Sequence, residues 1–462
     1  MPETFLVLGA GLTGLPLAHY VLKHHAEKHD LKVILVSRSN EFYWNIGSPR
    51  AAIPGQFSDD KVFYSISKAF EKYSTSRFEF IVGAVETWDP DSNTVEVTQN
   101  DGHQRSLEYH TVIVATGSDY SSEMPWKLVG THQQTHAALD KLRREVSRAK
   151  SIVVAGGGPT GVEFAGELGY EYAKAGLKEV TLVISEALPL SSICFESTRV
   201  AAKKELEKLN VRVVVNARVR ETAITRRGQK TLEVTHSDGT IETLETDLFA
   251  PTWGVRYNTS FAPASMLEPN GRLKVTGSLR APGYDNVFLL GDAANLPTYG
   301  ASVRESQVRH IAAALGPYLA GGKLTDWKEP GNVNMTVAVG RGRGVGQIGG
   351  LNVWSWFVWM FKGRHMPLPS FTTIIYKTLF RNASPLALSR TLSHLRALLT
   401  HQARDPNPAP FHANHASLAV RLADVFARTW DLGFTAFGGP PVHFQILHGR
   451  FVEGRGGGAE VG

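Results

Sequence analysis

Cysteine is almost absent from this chain: Cys194 stands alone among 462 residues. One cysteine excludes an intramolecular disulfide, so nothing in the fold is stapled that way. It also excludes a CxxC or CxxxxC redox pair. A charged stretch followed by an apolar run is missing at the N-terminus, which gives no signal peptide. Pro2 stands where N-myristoylation needs glycine. No stretch of ~18 apolar residues offers a complete transmembrane helix. No Lys/Arg run is dense enough to suggest nucleic-acid binding, and no metal site is assigned. These absences predict a cytoplasmic protein, with a peripheral membrane contact left open.

What is present is an ordinary globular composition, 42% hydrophobic and 20% charged, in a chain long enough for two or three domains. The net charge of +6 and a pI near 9.2 suit anionic ligands such as dinucleotides, or an anionic membrane surface. A solvated surface rich in arginine explains the same numbers.

An apolar run from Phe5 to Leu8 leads into GAGLTG at 9–14, a helical pattern to about His29 and a second apolar run from Val33 to Val36. Ser151 to Ala155, GGGPTG at 156–161, a helix to about Ala175 and Val180 to Ile184 repeat the plan. Each is a strand, a glycine turn, a helix and a strand. Two such units predict an α/β fold with two Rossmann-like dinucleotide-binding domains, a small strand-rich C-terminal region and an irregular tail. The expected domains are 1–120 with 250–325 for FAD, 121–249 for NAD(P)H, 326–380 as an interface region, and 381–462 as tail.

The glycines have separate tasks. Gly9 permits the tight turn, Gly11 lets backbone approach a pyrophosphate, and Gly14 lets helix and strand pack closely. Gly156, Gly158 and Gly161 repeat the set for a nicotinamide dinucleotide. In each case the diphosphate sits at a helix N-terminus, where free N–H groups favour negative charge. The first unit lacks the acid that ordinarily ends the second strand and holds the adenosine ribose. Ser37 stands there, able to bond a hydroxyl, and Arg38 follows, able to stack near adenine. In the second unit Glu186 follows the strand end and can bind a 2′-hydroxyl. No arginine stands at that strand end to take a 2′-phosphate, which leans the reading towards NADH. Asp292, in NVFLLGDAA at 286–294, suits the ribityl hydroxyls of a flavin, although a helix N-cap explains it equally well taken alone. Glu163 follows the second turn and is placed where the helix faces the flavin. Its plain alternative is an acid favoured by the helix dipole.

GAGLTG, ATGS at 115–118, GGGPTGVEFAGEL and NVFLLGDAA together resemble the pyridine nucleotide–disulfide oxidoreductases. Within that class, FYWNIGSPRAAIPG at 42–55 and VAVGRGRGVGQIGG followed by Lys362 resemble the apoptosis-inducing-factor-like ferroptosis suppressor group. The resemblance implies FAD at the first turn, at Arg50, at a backbone contact at Val85 and at Asp292. It implies NADH or NADPH at the second turn with Glu163 near the nicotinamide, and reduction of quinones at a membrane surface. Lys127 and Lys362 match lysines of that group near the flavin and in the C-terminal region. Glu163, Lys127 and Lys362 are thus the catalytic candidates.

A disulfide reductase needs a cysteine pair to relay electrons. Here they must leave the flavin directly for a diffusible acceptor, a quinone first and dioxygen next. A redox-switched signalling flavoprotein and an oxidase are the alternatives. Cys194 reads as a small buried residue. VWSWFVWMFKGR at 353–364 fits a quinone channel, a membrane-interface segment or packing on the flavin domain. In the tail, RDPNPAP at 404–410 reads as a linker, and residues 428–454 resemble the start of a chromate ion transporter. That tail is expected to be a fusion or relic outside the catalytic fold.

Overall fold

The computed structural model describes residues 2–359 and Lys362. The linker and transporter-like fragment of 381–462 lie outside the described residues, as do Phe361 and Arg364. Strand β1 (Glu3–Leu8), helix α1 (Gly14–His24) and strand β2 (Leu31–Ser37) form the first unit. Both strands read as continuous apolar runs because a parallel sheet is covered on both faces. Phe5 through Leu8 and Leu35 are fully buried. Helix α1 stops at His24, short of the expected His29. The chain must reverse before β2, and it does so with Asp30 at φ 47°, whose carbonyl accepts from Glu3 N–H.

Strands β3 (Phe78–Asp89), β4 (Thr94–Gln99), β5 (Gln104–Glu108) and β6 (Thr111–Val114) follow. The first half of β3 runs parallel to β2, and its second half turns away to pair antiparallel with β4. The register of β3 against β4 slips between Val85 and Thr87. Such a bulge bends the strand and re-aims its residues.

The second unit comprises β7 (Ser151–Ala155), α2 (Pro159–Glu171), β8 (Glu179–Val183), α3 (Glu196–Glu207) and β9 (Val211–Val214). The helix expected to Ala175 ends at Glu171, and a short 3-10 turn at Ala173–Ala175 leads to Gly176 in the left-handed region at φ 69°. An antiparallel trio, β10 (Ala217–Ile224), β11 (Lys230–His236) and β12 (Ile241–Thr246), packs beside it before β13 (Leu248–Pro251) completes the order β9-β8-β7-β13. Strand β14 (Val287–Leu289) then returns to the first sheet, whose order is β14-β6-β1-β2-β3-β4-β5. A two-stranded ribbon, Ser118–Tyr120 against Val255–Tyr257, lies at the two crossings between sheets.

Helix α4 (Gly300–Leu319) covers the first sheet, and an antiparallel sheet of β15 (Met335–Val339), β16 (Arg343–Ile348) and β17 (Leu351–Val353) follows, with a short helix at Ser355–Val358 after it. Among the described residues no helix is long and apolar enough to cross a membrane.

Candidate functional site

The two glycine turns fold alike, and they divide their glycines into two kinds. A Cβ on Gly14 would lie 2.0 Å from the carbonyl oxygen of Gly9, and one on Gly161 would lie 2.0 Å from that of Gly156. Gly9 and Gly156 take φ of 104° and 119°. Those four glycines are required by the protein's own packing. Gly11 and Gly158 are different: a Cβ on either meets nothing within 4 Å. The protein leaves space beside each middle glycine, at the mouth of a helix, where a diphosphate would approach the backbone.

Gly11 opens onto a cavity of about 390 Å³. Ser37, Arg38, Val85, Lys127 and Asp292 all line it, drawn from β2, β3 and the segments after β6 and β14. Five of the sequence-predicted cofactor or catalytic residues thus meet at one opening with Gly9 and Gly11. The bulge in β3 brings Val85 and Glu86 to its wall.

Asp292 is the electrostatic centre of this cavity. Its Oδ2 accepts from Lys127 Nζ at 2.6 Å and from Ser118 Oγ at 2.9 Å, and its Oδ1 accepts from Arg304 Nε at 3.2 Å. Burial opposes ionisation of this carboxyl, but Arg304 and Lys127 outweigh it and hold the group well below the usual carboxylate range. The side chain is therefore a fixed anion, an acceptor for hydroxyl groups. Arg38 is held by Asp119, Nη2 to Oδ2 at 2.7 Å. Asp119, Arg304, Glu41 and Glu86 also line the cavity, and none was singled out from sequence. For Asp119 and Arg304 the signal was proximity to motifs: one follows ATGS, and the other lies on the helix after GDAA.

Arg50 and Glu163 are elsewhere. Arg50 is buried, and its Nε and Nη2 both donate to Glu167 Oε1 at 2.9 and 2.6 Å. Glu163 Oε1 accepts from Ala338 N–H at 3.1 Å and from Lys362 Nζ at 2.5 Å. Two residues read separately from the sequence, Glu163 and Lys362, are thus one ion pair. Glu171, a further turn along α2, accepts from Arg341 Nη2 at 2.9 Å and Gln56 Nε2 at 3.0 Å. Glu163, Glu167 and Glu171 are spaced four apart, so they share one face of α2. That face clamps the Arg50 segment on one side and the C-terminal sheet on the other.

At the second turn, Leu190 N–H donates to Gly157 carbonyl at 2.7 Å, which folds the segment after β8 over the glycines. Glu186 lies on that segment. The sequence reading finds no arginine at this strand end, but the fold supplies one. Helix α3 returns Arg199 to Glu186, with Nη2 to Oε2 at 2.5 Å. Cys194 is buried, with Sγ 3.5 Å from Met335 Sδ, and burial pushes its thiol pKa up. It is not among the residues lining the cavity.

The sequence pattern of the family described as pyridine nucleotide-disulphide oxidoreductase matches residues 3–316. The chain belongs to that family. It is 34% identical over 346 residues to the oxidoreductase ptaL of Pestalotiopsis fici, covering 74% of this chain and 91% of that one. It is also similar to human ferroptosis suppressor protein 1, at 27% identity over 379 residues, covering 81% of this chain and 95% of that protein. The fold resembles the sulfide:quinone oxidoreductase of Aquifex aeolicus, with a TM-score of 0.66 at 16% identity, covering 89% of this chain and 100% of that one. The chain is accordingly an FAD-dependent oxidoreductase with NADH or NADPH as co-substrate.

Proposed function

We propose that the chain passes electrons from NADH or NADPH through FAD to a quinone-type acceptor without a redox disulfide. The observation that carries this is the pairing of two dinucleotide turns with a single buried cysteine outside the cavity. Bound FAD would supply hydride acceptance from the nicotinamide and onward transfer of the electrons. The protein's own contribution is placement. The turn that Gly9 and Gly14 shape would place the FAD diphosphate beside Gly11 at the mouth of α1. Asp292 receives ribityl hydroxyls, with Lys127 and Arg304 keeping it ionised. Ser37 and Arg38 face the adenosine end, where Asp119 fixes the guanidinium. The turn that Gly156 and Gly161 shape would place the second diphosphate beside Gly158.

For Glu163, Lys362 and Arg50 we propose a positioning role alongside the contacts that the resemblance implies. They are positioning residues: through α2 they fix the nicotinamide-binding helix against the flavin side and the C-terminal sheet. The proposed domain division gives 1–120 and 250–325 to FAD, 121–249 to NAD(P)H and 326–380 to the interface. Strand β13 ends at Pro251, so the return crossing begins just beyond it.

The Aquifex enzyme that shares this fold is named for a quinone, which supports a quinone acceptor here. Leu351, Trp354 and Trp356 are 73%, 72% and 48% exposed beside the C-terminal sheet. Large apolar side chains so exposed suit a peripheral contact with a lipid surface, where quinones reside. The test is steady-state oxidation of NADH and NADPH by FAD-loaded protein with ubiquinone analogues, menadione or oxygen as acceptor. Turnover with quinone well above that with oxygen supports the reading. Turnover with oxygen alone refutes it.

A further inference from the structure

Arg199 has an unusual setting for an arginine on a surface helix. Its side chain is 14% exposed, against 53% for its partner Glu186. Its Nε donates to the carbonyls of Pro189 and Leu190, both at 3.2 Å, and its Nη2 donates to Leu188 carbonyl at 3.1 Å as well as to Glu186. Three backbone acceptors therefore fix the guanidinium whether or not Glu186 stays. Those acceptors lie in the segment that closes over Gly157 through Leu190 N–H. Ile184, which begins it, stands close enough that a Cβ on Gly157 would lie 3.0 Å from its Cγ2. The pair thus sits beside the second glycine turn, just past the end of β8, where an adenosine ribose is ordinarily recognised.

A largely buried guanidinium requires an anion, and Glu186 is the one it has. We propose that Arg199 is a 2′-phosphate subsite of the pyridine-nucleotide pocket, with Glu186 as its exchangeable counter-ion. The inference rests on the second glycine turn binding NADH or NADPH, as proposed above. With NADH, Glu186 stays on Arg199 and offers its second oxygen to the ribose 2′-hydroxyl. With NADPH, the 2′-phosphate replaces the carboxylate on the fixed guanidinium, and the half-exposed Glu186 turns out to water. The site therefore takes both nucleotides, and the acid disfavours NADPH by competing for the same N–H group and by like-charge repulsion. The exchange is made at Nη2, which donates to Glu186 through one N–H and to Leu188 carbonyl through the other, so a phosphate oxygen would take the place of one carboxylate oxygen.

The test compares FAD-loaded wild type, Glu186→Gln, and Glu186→Gln with Arg199→Gln. Binding of 2′,5′-ADP and 5′-AMP is measured by calorimetry, which needs no turnover. Glu186→Gln is expected to raise the preference for 2′,5′-ADP over 5′-AMP by about 10- to 100-fold, the span of a charge-assisted hydrogen bond. Adding Arg199→Gln is expected to abolish that gain. In parallel, the ratio of kcat/KM for NADPH to that for NADH should rise in Glu186→Gln and fall back in the double variant. Glu186→Gln leaves the three carbonyl contacts of Arg199 intact, so this arm does not depend on the arginine variant folding. An unchanged preference in Glu186→Gln, or a gain that survives loss of Arg199, overturns the subsite while leaving the oxidoreductase reading intact. Protein that binds neither nucleotide, and whose flavin neither NADH nor NADPH reduces, overturns both.

Discussion

Replacing Gly11 by alanine separates what the first turn does for the fold from what it does for the cofactor. The added Cβ meets no protein atom within 4 Å, and Gly11 is not among the glycines in the left-handed region. Alanine at such a position ordinarily stabilises by about 0.4–1 kcal/mol, because it narrows the unfolded ensemble. The apoprotein should therefore melt at the same temperature or slightly higher. The methyl group, however, occupies the space through which a diphosphate reaches the backbone. Binding stabilises the folded state by RT ln(1 + [L]/Kd), so a 100-fold weaker affinity removes about 2.7 kcal/mol from the holoprotein at saturating FAD. Gly14→Ala gives the opposite pattern. Its Cβ would press on the Gly9 carbonyl at 2.0 Å, and overpacking of that kind costs about 1–3 kcal/mol or more even without FAD. Thermal melts of apo- and FAD-loaded protein, with flavin content by absorbance, read both effects. If Gly11→Ala binds FAD as tightly as wild type, the diphosphate does not lie at this turn. If Gly14→Ala leaves the apoprotein melt unmoved, the packing argument fails.

Glu167→Gln should destabilise by about 3–5 kcal/mol, because it leaves Arg50 buried at 2% exposure without its counter-charge; replacing both residues with apolar ones of similar size should recover most of the loss, as urea unfolding will show. Stability should also fall in mild acid. Burial and then Lys72 lower the His19 pKa to about 3 from 6.5, and burial and neighbouring basic groups lower that of His25 to about 4. Below pH 6.5 the unfolded chain takes protons that these buried rings refuse, so their contribution is complete above pH 6.5 and is lost as pH falls towards the folded values. His19 alone should remove about 2 kcal/mol between pH 7 and pH 5, and His19→Phe should flatten that part of the profile. In flotation with anionic vesicles, Trp354→Ser with Trp356→Ser should recover less protein with the lipid while leaving NADH oxidation by a water-soluble quinone unchanged.

The sequence made the two glycine turns legible because their spacing is set by steric demands local to each turn. The return of β14 to the first sheet was legible for a similar reason: NVFLLGDAA carries an apolar strand and an acid in one short run. The pairings made across long separations were not legible. Arg50 meets Glu167 across 117 positions and Glu163 meets Lys362 across 199, and no local pattern records either contact. The expected absence of an arginine beside Glu186 failed for the same reason at shorter range. Arg199 is 13 residues downstream, and only the turn of the chain into α3 brings it back. The missing acid at Ser37 has a partial answer in Glu41, Glu86 and Asp119. They line the same cavity from other segments, so a search confined to the strand end could not find them.

The most direct test of a cysteine-independent route follows the visible flavin absorption of FAD-loaded Cys194→Ser under anaerobic conditions, first on mixing with NADH and then with a ubiquinone analogue. Cys194 is buried away from the cavity lining, so the variant should bleach with NADH and recover with quinone at the wild-type rates. A variant that bleaches but no longer recovers would place the thiol in the electron path and contradict the account.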